Sequence, residues 1–531
     1  MAEKLWFLDD EPSTRFPQYC RGNVGEVVPN VTTPLAASVL TNAFRHAFSA
    51  LFTESGAFST AELREDSAAG GVFGGYLYIN LSFARVFARR MPGARLGDID
   101  QQLLGSFDAP PYRAQHGDRS VRRSLRLVAG LPATILRRKP LDLDATRRAT
   151  MAWRRDLPAV PTDDELVSIV ATYDERFEPL IRGLVEVTLG AALPTSLLER
   201  LSRRAELAEP GLLVRALSGL GTIETAAPAM ALWWLGRRAR ASDAITRELD
   251  AGGEDLLDRL RRSTTPDVVA FVSDFDAFLS EHGHRGPNEV ELASETWSTA
   301  PGAALAAVDR LRLAPESTDP VAAGARLADE REAAAKRLRS RTPLPARPLV
   351  GRLLRAAARG AARREQAKGT IVLDIDGVRR LLFARADVLV AEGSLPDRRS
   401  MFMVTVDELP TLLRDPASLA ETIAARRAWY EELDSRIPPF SFEGALPPLE
   451  TWPRRDGRHG VDVARPGDVL TGIGVASGSA TGTVRVVTDP SDPRGIGPGD
   501  VLVAPITDPA WTPLFLAASA VVVDVGALQS H

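Results

Sequence analysis

One segment of the sequence combines side chains whose types and spacing suit phosphoryl chemistry. Residues 282–292 read HGHRGPNEVEL, and two glycines and a proline predict a turn that presents His284, Arg285 and Glu289. A guanidinium offers a planar fork of donors that matches the oxygens of a phosphoryl group, and a carboxylate can take the proton from a hydroxyl. We therefore expect Arg285 and Glu289 to be catalytic and His284 to contact a substrate.

The same turn allows two other interpretations. Arg285 and Glu289 could form a structural ion pair that holds the turn, and Glu291 could do the same. His282 and His284 with Glu289 could bind a metal ion, as in a metal-dependent hydrolase, although the cluster has no evident further histidine ligand. We expect no metal at this turn.

A second candidate, His531, closes the chain in the sequence GALQSH. It follows AVVVDV (520–525), a run of β-branched residues typical of a buried strand. A strand that ends in glycine and then Ser-His places the imidazole at an exposed strand edge. A neutral imidazole is a good nucleophile near neutral pH, because one ring nitrogen keeps a free lone pair. His531 is therefore expected to accept a phosphoryl group.

The composition is that of a soluble globular protein with several domains. The 531 residues are 44% hydrophobic and 25% charged, and this length is enough for about two to four domains. Sixty-five Lys and Arg against 69 Asp and Glu give a net charge of −4, so no overall field favours nucleic acid or a membrane. A single cysteine, Cys20, excludes an internal disulfide. The start has no secretory signal and no run of about 20 apolar residues is present, so we expect a cytoplasmic protein.

The spacing of apolar residues predicts a long helical region and one early strand. From about residue 36 to 310, apolar residues recur three or four positions apart, which predicts helices. Residues 74–82, GGYLYINLS, break this rhythm with strict alternation and predict a short strand. The strand carries Tyr78 and Asn80, and we expect both side chains to contact the substrate.

The C-terminal part of the sequence has a different character. Prolines at 438–468 predict a linker, and the Val- and Gly-rich sequence after it contains three short β-branched runs typical of strands. These features predict an α+β multidomain fold in which a large, mainly helical domain precedes a small β-rich domain. The expected segments are an N-terminal extension (1–20), the helical domain (21–437), the linker (438–468) and the β-rich domain (469–531).

A basic segment lies in the middle of the chain. Residues 331–368 contain twelve Lys and Arg but two Glu, and Arg352, Arg355 and Arg359 share one helical face. A solvated helix face is one interpretation, and a site for a phosphate-bearing ligand is another. The segment has no interleaved aromatic residues that could stack on bases, so we expect no nucleic-acid contact.

The β-rich segment resembles a known domain. TGIGVASGSATGTVRVV (471–487), GPGDVLVAPITDPAWTPLF (497–515) and AVVVDVGALQSH (520–531) are similar, in order, to the mobile phosphohistidine domain of the phosphoenolpyruvate-utilising dikinase family. That family includes phosphoenolpyruvate synthase, pyruvate phosphate dikinase and rifampicin phosphotransferase. RGNVGEVVPNVTTPL (21–35) and HGHRGPNEVELASETW (282–297) resemble the substrate domain of its rifampicin phosphotransferase-like members.

The resemblance implies a transfer mechanism. In the family a Gly-x-x-x-Ser-His motif carries the phosphorylated histidine, and here that motif is Gly526, Ser530 and His531. It implies a β-rich domain that swivels on its linker and passes a phosphoryl group from ATP, bound with Mg²⁺, to a hydroxyl or enol substrate in the helical domain. It implies no tightly bound cofactor.

The sequence departs from the family in two ways. The ATP-grasp nucleotide domain, usually N-terminal, has no room before the substrate-type segment at residue 21, so we expect ATP on a separate ATP-grasp subunit or domain. The sequence stops at His531, where family members continue with a helix, so we expect the β-rich domain to be incomplete and the chain to be a fragment. The alternative function is a non-catalytic ligand- or partner-binding protein derived from the same family.

Overall fold

The computed structural model of the protein consists of a mainly helical region and a small sheet near the C-terminus. The described residues are 8–91, 94–105, 107, 110–127, 142–209, 211–218 and 227–455 and, nearer the C-terminus, 465, 467–472, 474, 479–488, 496–497, 499–505, 507, 511–515 and 517–524. Helices dominate, with two small sheets. The expected α+β fold class is confirmed.

The bounds of the elements in these residues are as follows. The helices are α1 (Val24–Val27), α2 (Pro34–Glu54), α3 (Leu81–Arg90), α4 (Leu96–Leu104), α5 (Leu143–Asp156), α6 (Asp163–Ala171), α7 (Tyr173–Ala208), α8 (Leu212–Leu217), α9 (Ala227–Arg240), α10 (Asp243–Ala251), α11 (Leu256–Arg262), α12 (Pro266–His282), α13 (Pro301–Leu313), α14 (Pro320–Arg341), α15 (Arg347–Ala391), α16 (Leu409–Arg414), α17 (Ala420–Asp434) and α18 (Thr512–Phe515). The strands are β1 (Gln18–Cys20), β2 (Gly70–Phe73), β3 (Tyr76–Asn80), β4 (Ser441–Glu443), β5 (Val484–Val486), β6 (Val501–Ala504) and β7 (Ala520–Val523).

Local sequence explains where several helices begin. Helices α2, α12, α13 and α14 start on a proline, whose missing N–H is not needed in the first turn. Thr162 and Glu165 form a reciprocal capping box at the start of α6. The side chain of Asn80 accepts from the backbone N–H of Phe83 at 2.8 Å and so caps α3.

The core of the helical region forms around α15. This 45-residue helix packs along α7, which also packs against α2, and side chains such as Leu51, Ile375 and Leu382 are buried between them. The middle of α15 is buried on every side, although it carries Asp374, Asp376 and Arg379. Buried charges are costly unless they are paired, so these side chains require partners from other elements.

The N-terminal half of α15 carries the middle of the basic segment. Arg352, Arg355 and Arg359 are exposed there, whereas Leu353 and Leu354 are buried. This exposure agrees with the interpretation of these arginines as a solvated helix face.

A four-stranded antiparallel sheet in the order β2-β3-β1-β4 closes one side of the helical core. The early strand predicted at 74–82 is confirmed as β3. Tyr19 pairs with Asn80 on one side and with Phe442 on the other, and its ring lies stacked on that of Phe442 with centroids 5.1 Å apart. Sheet and core therefore join residues from both ends of the helical region.

The structure differs from the sequence interpretation at the linker and the N-terminal extension. Residues 441–443 pair with residues 18–20 in the sheet, and Trp452 is buried in the main core. The indole lies against Gly74, where a Cβ would come within 2.5 Å of the ring. The prolines at 438–448 thus belong to a packed segment, because strand pairing with a distant element is invisible in local composition. The domain boundaries themselves remain a prediction.

The described C-terminal residues contain a parallel sheet in the order β5-β6-β7. Its strands lie within the three β-branched runs that the sequence predicts. A small cluster packs on it, with Leu502, Trp511 and Leu514 buried. This part of the chain therefore contains a small sheet with its own hydrophobic cluster, and its assignment to a separate domain remains a prediction.

One helical stretch, Asp163–Arg203, is long and apolar enough by length and composition to cross a membrane. A single stretch of this kind is weak evidence, because core helices of soluble proteins meet the same criterion. This stretch contains α6 and most of α7, which packs against α2 and α15.

Trp452 tests whether the proline-rich segment is part of the helical core. We expect Trp452→Ala to lower the free energy of unfolding by about 3–5 kcal/mol, because the substitution leaves a cavity in place of a buried indole. Urea unfolding followed by far-UV circular dichroism measures the change. Trp234, 59% exposed on α9, provides the matched control, and Trp234→Ala should cost less than about 0.5 kcal/mol. Equal losses in the two variants would contradict the packed segment.

Candidate functional site

The predicted turn lies in a loop that folds back on itself, here called the turn loop (residues 283–299). It begins after α12, and its ends are tied by hydrogen bonds from the N–H of Ser298 to the carbonyl of Gly283 at 2.8 Å and from that of Trp297 to the carbonyl of Arg285 at 2.9 Å. A Cβ at Gly286 would lie 2.9 Å from backbone atoms of Glu295 and Thr296, where the loop folds back, so only glycine fits there. The predicted glycine-containing turn is confirmed.

The loop turns its polar side chains inward. His284, Arg285, Asn288, Glu289 and Glu291 are all less than 9% exposed. This differs from an exposed surface turn, and it means that each charged group must find compensation inside the protein.

Arg285 and Glu289 contact each other directly. The Arg285 Nε lies 3.2 Å from the Glu289 carboxylate, and both side chains are at most 10% exposed. The interpretation of Arg285 and Glu289 as an ion pair that holds the turn requires this geometry. The same geometry places a phosphoryl-binding cation and a candidate base side by side.

The pair leaves other atoms of the turn without protein partners. The Nη2 of Arg285 and the Nδ1 of His284 are buried and have no hydrogen-bond partner among the described residues. Buried polar atoms nearly always have a partner, which can be a ligand or a water molecule. These two atoms therefore mark the point at which a polar ligand would complete the site.

Glu291 joins the turn loop to the N-terminal part of the chain. Its carboxylate accepts from the hydroxyl of Thr33 at 2.5 Å, from the backbone N–H of Thr33 at 3.2 Å and from that of Ala293 at 3.1 Å. Burial raises the pKa of Glu291, and the hydrogen bonds from Thr33 partly offset that effect. Because Thr33 immediately precedes α2, this contact connects the segments 21–35 and 282–297.

Asp376, in the middle of α15, holds the other side of the turn loop. Its carboxylate pairs with Arg154 and with Arg379 and accepts from the hydroxyl of Thr296 at 3.3 Å. Arg379 in turn donates to the carbonyls of Glu289 at 2.5 Å and Glu291 at 3.1 Å. The loop backbone is thus fixed by a buried charge network.

Sequence reasoning missed this network. Its signal is the run TIVLDIDGVRRLLF (370–383), in which two acids and two arginines interrupt an otherwise apolar helix. A charge that interrupts an apolar run on a helix indicates either exposure or a buried partner, and the sequence alone does not distinguish the two.

Burial, reinforced by the surrounding arginines, determines the charge state of His284. Burial lowers the pKa of His284 well below its ordinary value, and the positive charges of Arg285, Arg154 and Arg147 lower it further. His284 is therefore neutral at pH 7. Burial also lowers the pKa of His282, against the opposing effect of Glu281.

The histidines of the turn do not form a metal site with Glu289. Among the residues that the structure describes, no group of three or more His, Cys, Asp or Glu side chains is arranged to hold a metal ion. The turn loop is organised instead by arginine–carboxylate contacts.

Tyr78 and Asn80 have their polar groups engaged in the fold. The hydroxyl of Tyr78 donates to the carbonyl of Pro439 at 2.8 Å, and the amide of Asn80 donates to the carbonyl of Phe16 at 2.8 Å besides capping α3. Burial raises the pKa of Tyr78. Their contact with a substrate remains a prediction, as do the roles of Gly526, Ser530 and His531, which lie outside the described residues.

Asp376 provides a stability test of the network. We expect Asp376→Ala to lower the free energy of unfolding by about 3–5 kcal/mol, because the buried Arg379 and the partly buried Arg154 lose their common counter-charge. The matched control is Asp276→Ala, which removes an ion pair with Arg261 in which both side chains are about half exposed and which should cost under about 1 kcal/mol. Urea unfolding of both variants measures the difference, and similar costs would show that Asp376 is not essential to the packing.

The low pKa of His284 predicts a pH dependence of stability. Below the ordinary histidine pKa of 6.5, the unfolded chain binds a proton at His284 that the folded protein does not, so stability falls as pH falls. The slope is at most about 1.4 kcal/mol per pH unit for one group. His284→Gln should reduce this slope. Part of the slope should remain in the variant, because the pKa of His282 is also lowered. Urea midpoints between about pH 7.5 and 5 measure the slopes, and identical slopes in wild type and variant would refute the assignment.

Two family models match the chain in the expected order. Residues 181–365 match the fourth domain of rifampicin phosphotransferase, and residues 496–531 match the mobile domain of PEP-utilising enzymes. The first match contains the whole turn loop, and the second contains His531 and its motif.

Several curated proteins are similar over most or part of the chain. An uncharacterized protein of Mycobacterium tuberculosis is 26% identical over 99% of this chain and 58% of its own length. The prodigiosin synthesizing transferase PigC of Serratia marcescens is 26% identical over 97% of this chain and 58% of its own length. A rifampicin phosphotransferase of a Streptomyces species is 28% identical over 57% of this chain and 38% of its own length. The match thus spans 58% of the length of the first two relatives and 38% of the length of the third. By these two family matches and these relatives, the chain is related to the PEP-utilising enzymes, as its sequence motifs predict.

Proposed function

We propose that the chain is a phosphotransferase component that acts through a phosphohistidine. His531 would accept a phosphoryl group from ATP bound with Mg²⁺ on an ATP-grasp subunit or domain. The β-rich domain would then carry the group to a hydroxyl or enol substrate in the helical region. The observation that carries the proposal is the buried turn loop, where the Nη2 of Arg285, beside the carboxylate of Glu289, has no hydrogen-bond partner among the described residues.

The chemistry of transfer follows from the neighbouring groups. The acceptor oxygen would attack phosphorus, the N–P bond to His531 would break, and its electron pair would return to the imidazole. Arg285 would bind the phosphoryl oxygens through its outer nitrogens, and Glu289 would take the proton of the acceptor hydroxyl. Neutral His284 could accept or donate a hydrogen bond to the substrate without adding charge.

A fixed site favours this chemistry. Arg379 holds the backbone of the turn loop, and Thr33 holds the side chain of Glu291 in that loop. Arg285 and Glu289 therefore need little reorganisation during the reaction. The relatives named as rifampicin phosphotransferases support phosphoryl transfer as the reaction type, and a cytoplasmic location fits relatives of this kind.

Two variants separate the two half-reactions. The protein is incubated with Mg²⁺ and ATP in an extract of its own cells. It is then recovered at alkaline pH, because phosphohistidine is acid-labile, and its intact mass is measured by mass spectrometry. We expect one acid-labile phosphoryl group on wild type and none on His531→Ala. Glu289→Gln should acquire the group normally but discharge it to the small-molecule fraction of the extract about 100-fold or more slowly, because it lacks the base.

Glu450→Gln, at an exposed position, is the matched control and should behave as wild type. A wild-type protein without a labile group, or a His531→Ala variant with as much of it as wild type, would reject the phosphohistidine mechanism. That result would favour the non-catalytic binding protein instead.

A further inference from the structure

A cavity of about 290 Å³ lies next to the turn loop. Its wall is formed by Ser298 and Thr299 of that loop, by Arg154 at the end of α5 with the residues after it, and by the middle of α15. The cavity therefore contacts the C-terminal end of the turn loop, and its lining includes neither Arg285 nor Glu289.

Positive charge exceeds negative charge at the cavity. Arg154, Arg380 and Arg398 line it, against one lining carboxylate, that of Asp387. Arg398 is neutralised by Asp387, with a hydrogen bond of 2.8 Å, and lies 3.9 Å from the exposed Glu295. Arg380 is exposed and has no acidic partner within 4 Å in the described part of the chain. Its charge is therefore available to a ligand.

Arg154 adds a second cation whose charge is only partly balanced. It pairs with Asp376, but that carboxylate also pairs with Arg379, so two guanidinium groups share one carboxylate. The Nε of Arg154 is buried and has no hydrogen-bond partner among the described residues. A buried donor of this kind is normally satisfied by a ligand or by water.

Apolar side chains form another part of the wall, beside the hydroxyl-bearing Ser298 and Thr299. Leu157, Leu381 and Phe383 line the cavity, and the guanidinium of Arg398 lies over the Phe383 ring, 5.7 Å from its centroid. A ligand that matches this wall has an anionic group at one end and a hydrocarbon body at the other.

We propose that this cavity binds a small organic anion. Its carboxylate or phosphate group would contact Arg154 and Arg380, and its hydrocarbon body would pack against Leu381 and Phe383. The volume is near the lower limit of ligand pockets, which suits a molecule about the size of one substituted ring. If the proposed function holds, a hydroxyl of this anion is the phosphoryl acceptor, but the binding site itself does not rest on that function.

Three probes of similar shape test the site. Isothermal titration calorimetry at low salt compares phenyl phosphate and benzoate with neutral benzamide, and the two anions distinguish a phosphate from a carboxylate ligand. We expect at least one anion to bind about tenfold or more tightly than benzamide. Arg380→Gln should remove most of that preference, because it deletes a charge-assisted hydrogen bond.

Asp387→Asn gives a change of the opposite sign. It removes the one lining carboxylate, so we expect anion affinity to rise by a few fold, a result that loss of structure would not produce. The matched control is Arg352→Gln, an exposed arginine on the same helix that does not line the cavity, and it should leave affinity unchanged.

Equal affinities for benzamide and both anions, or equal effects of Arg380→Gln and Arg352→Gln, would overturn the proposal. The titrations contain no ATP and no partner protein. Failure of anion binding is therefore distinct from failure of phosphoryl transfer.

Discussion

The carboxylate of Asp376 connects segments that lie far apart in the sequence. It sits at the buried centre of α15 and contacts Arg154 from α5, Thr296 from the turn loop and Arg379 from its own helix. Removing this many charges from water is costly, and only the complete set of contacts offsets that cost. Other packings of the loop would leave at least one buried charge without a partner. This carboxylate therefore helps to fix the position of the turn loop, together with the contacts that Arg379 and Thr33 make to the loop.

The same network explains why the turn is a rigid site and not a mobile one. Arg379 donates hydrogen bonds to two carbonyls of the loop, and Thr33 donates to the carboxylate of Glu291. The loop is therefore fixed both through its backbone and through a side chain. The Nε of Arg285 contacts Glu289, while its Nη2 has no hydrogen-bond partner within the part of the chain that the structure describes. A buried cation held in place with an unsatisfied donor is preorganised for an anion, because little reorganisation is needed when the anion arrives.

Much of the architecture is predictable from the sequence, since helix periodicity and strand alternation are local signals. The helical region, β3, the three C-terminal strands and the turn at 283–289 all follow from such signals. The distant residues that pack or pair with those elements do not follow from local signals. Nothing near residue 442 indicates that it pairs with Tyr19, and nothing near Asp376 indicates that its counter-charge lies 222 positions earlier at Arg154. Likewise, alternation identifies Tyr78 and Asn80 as strand residues, but the carbonyls to which their polar groups donate lie 361 and 64 positions away.

The shared carboxylate also links the cavity to the turn loop. Arg154 lines the cavity and reaches Asp376, and Asp376 orients Arg379, which holds the carbonyl of Glu289. Asp376 is one carboxylate shared by two guanidinium groups, and Arg379 also interacts electrostatically with Glu291. An anion bound beside Arg154 would compete with Asp376 for that guanidinium and leave Asp376 more strongly engaged with Arg379. Because a ligand that binds only the folded protein stabilises it, occupancy of the cavity and order in the turn loop would favour each other. A site that transfers a group to a bound anion would then be most ordered when that anion is present.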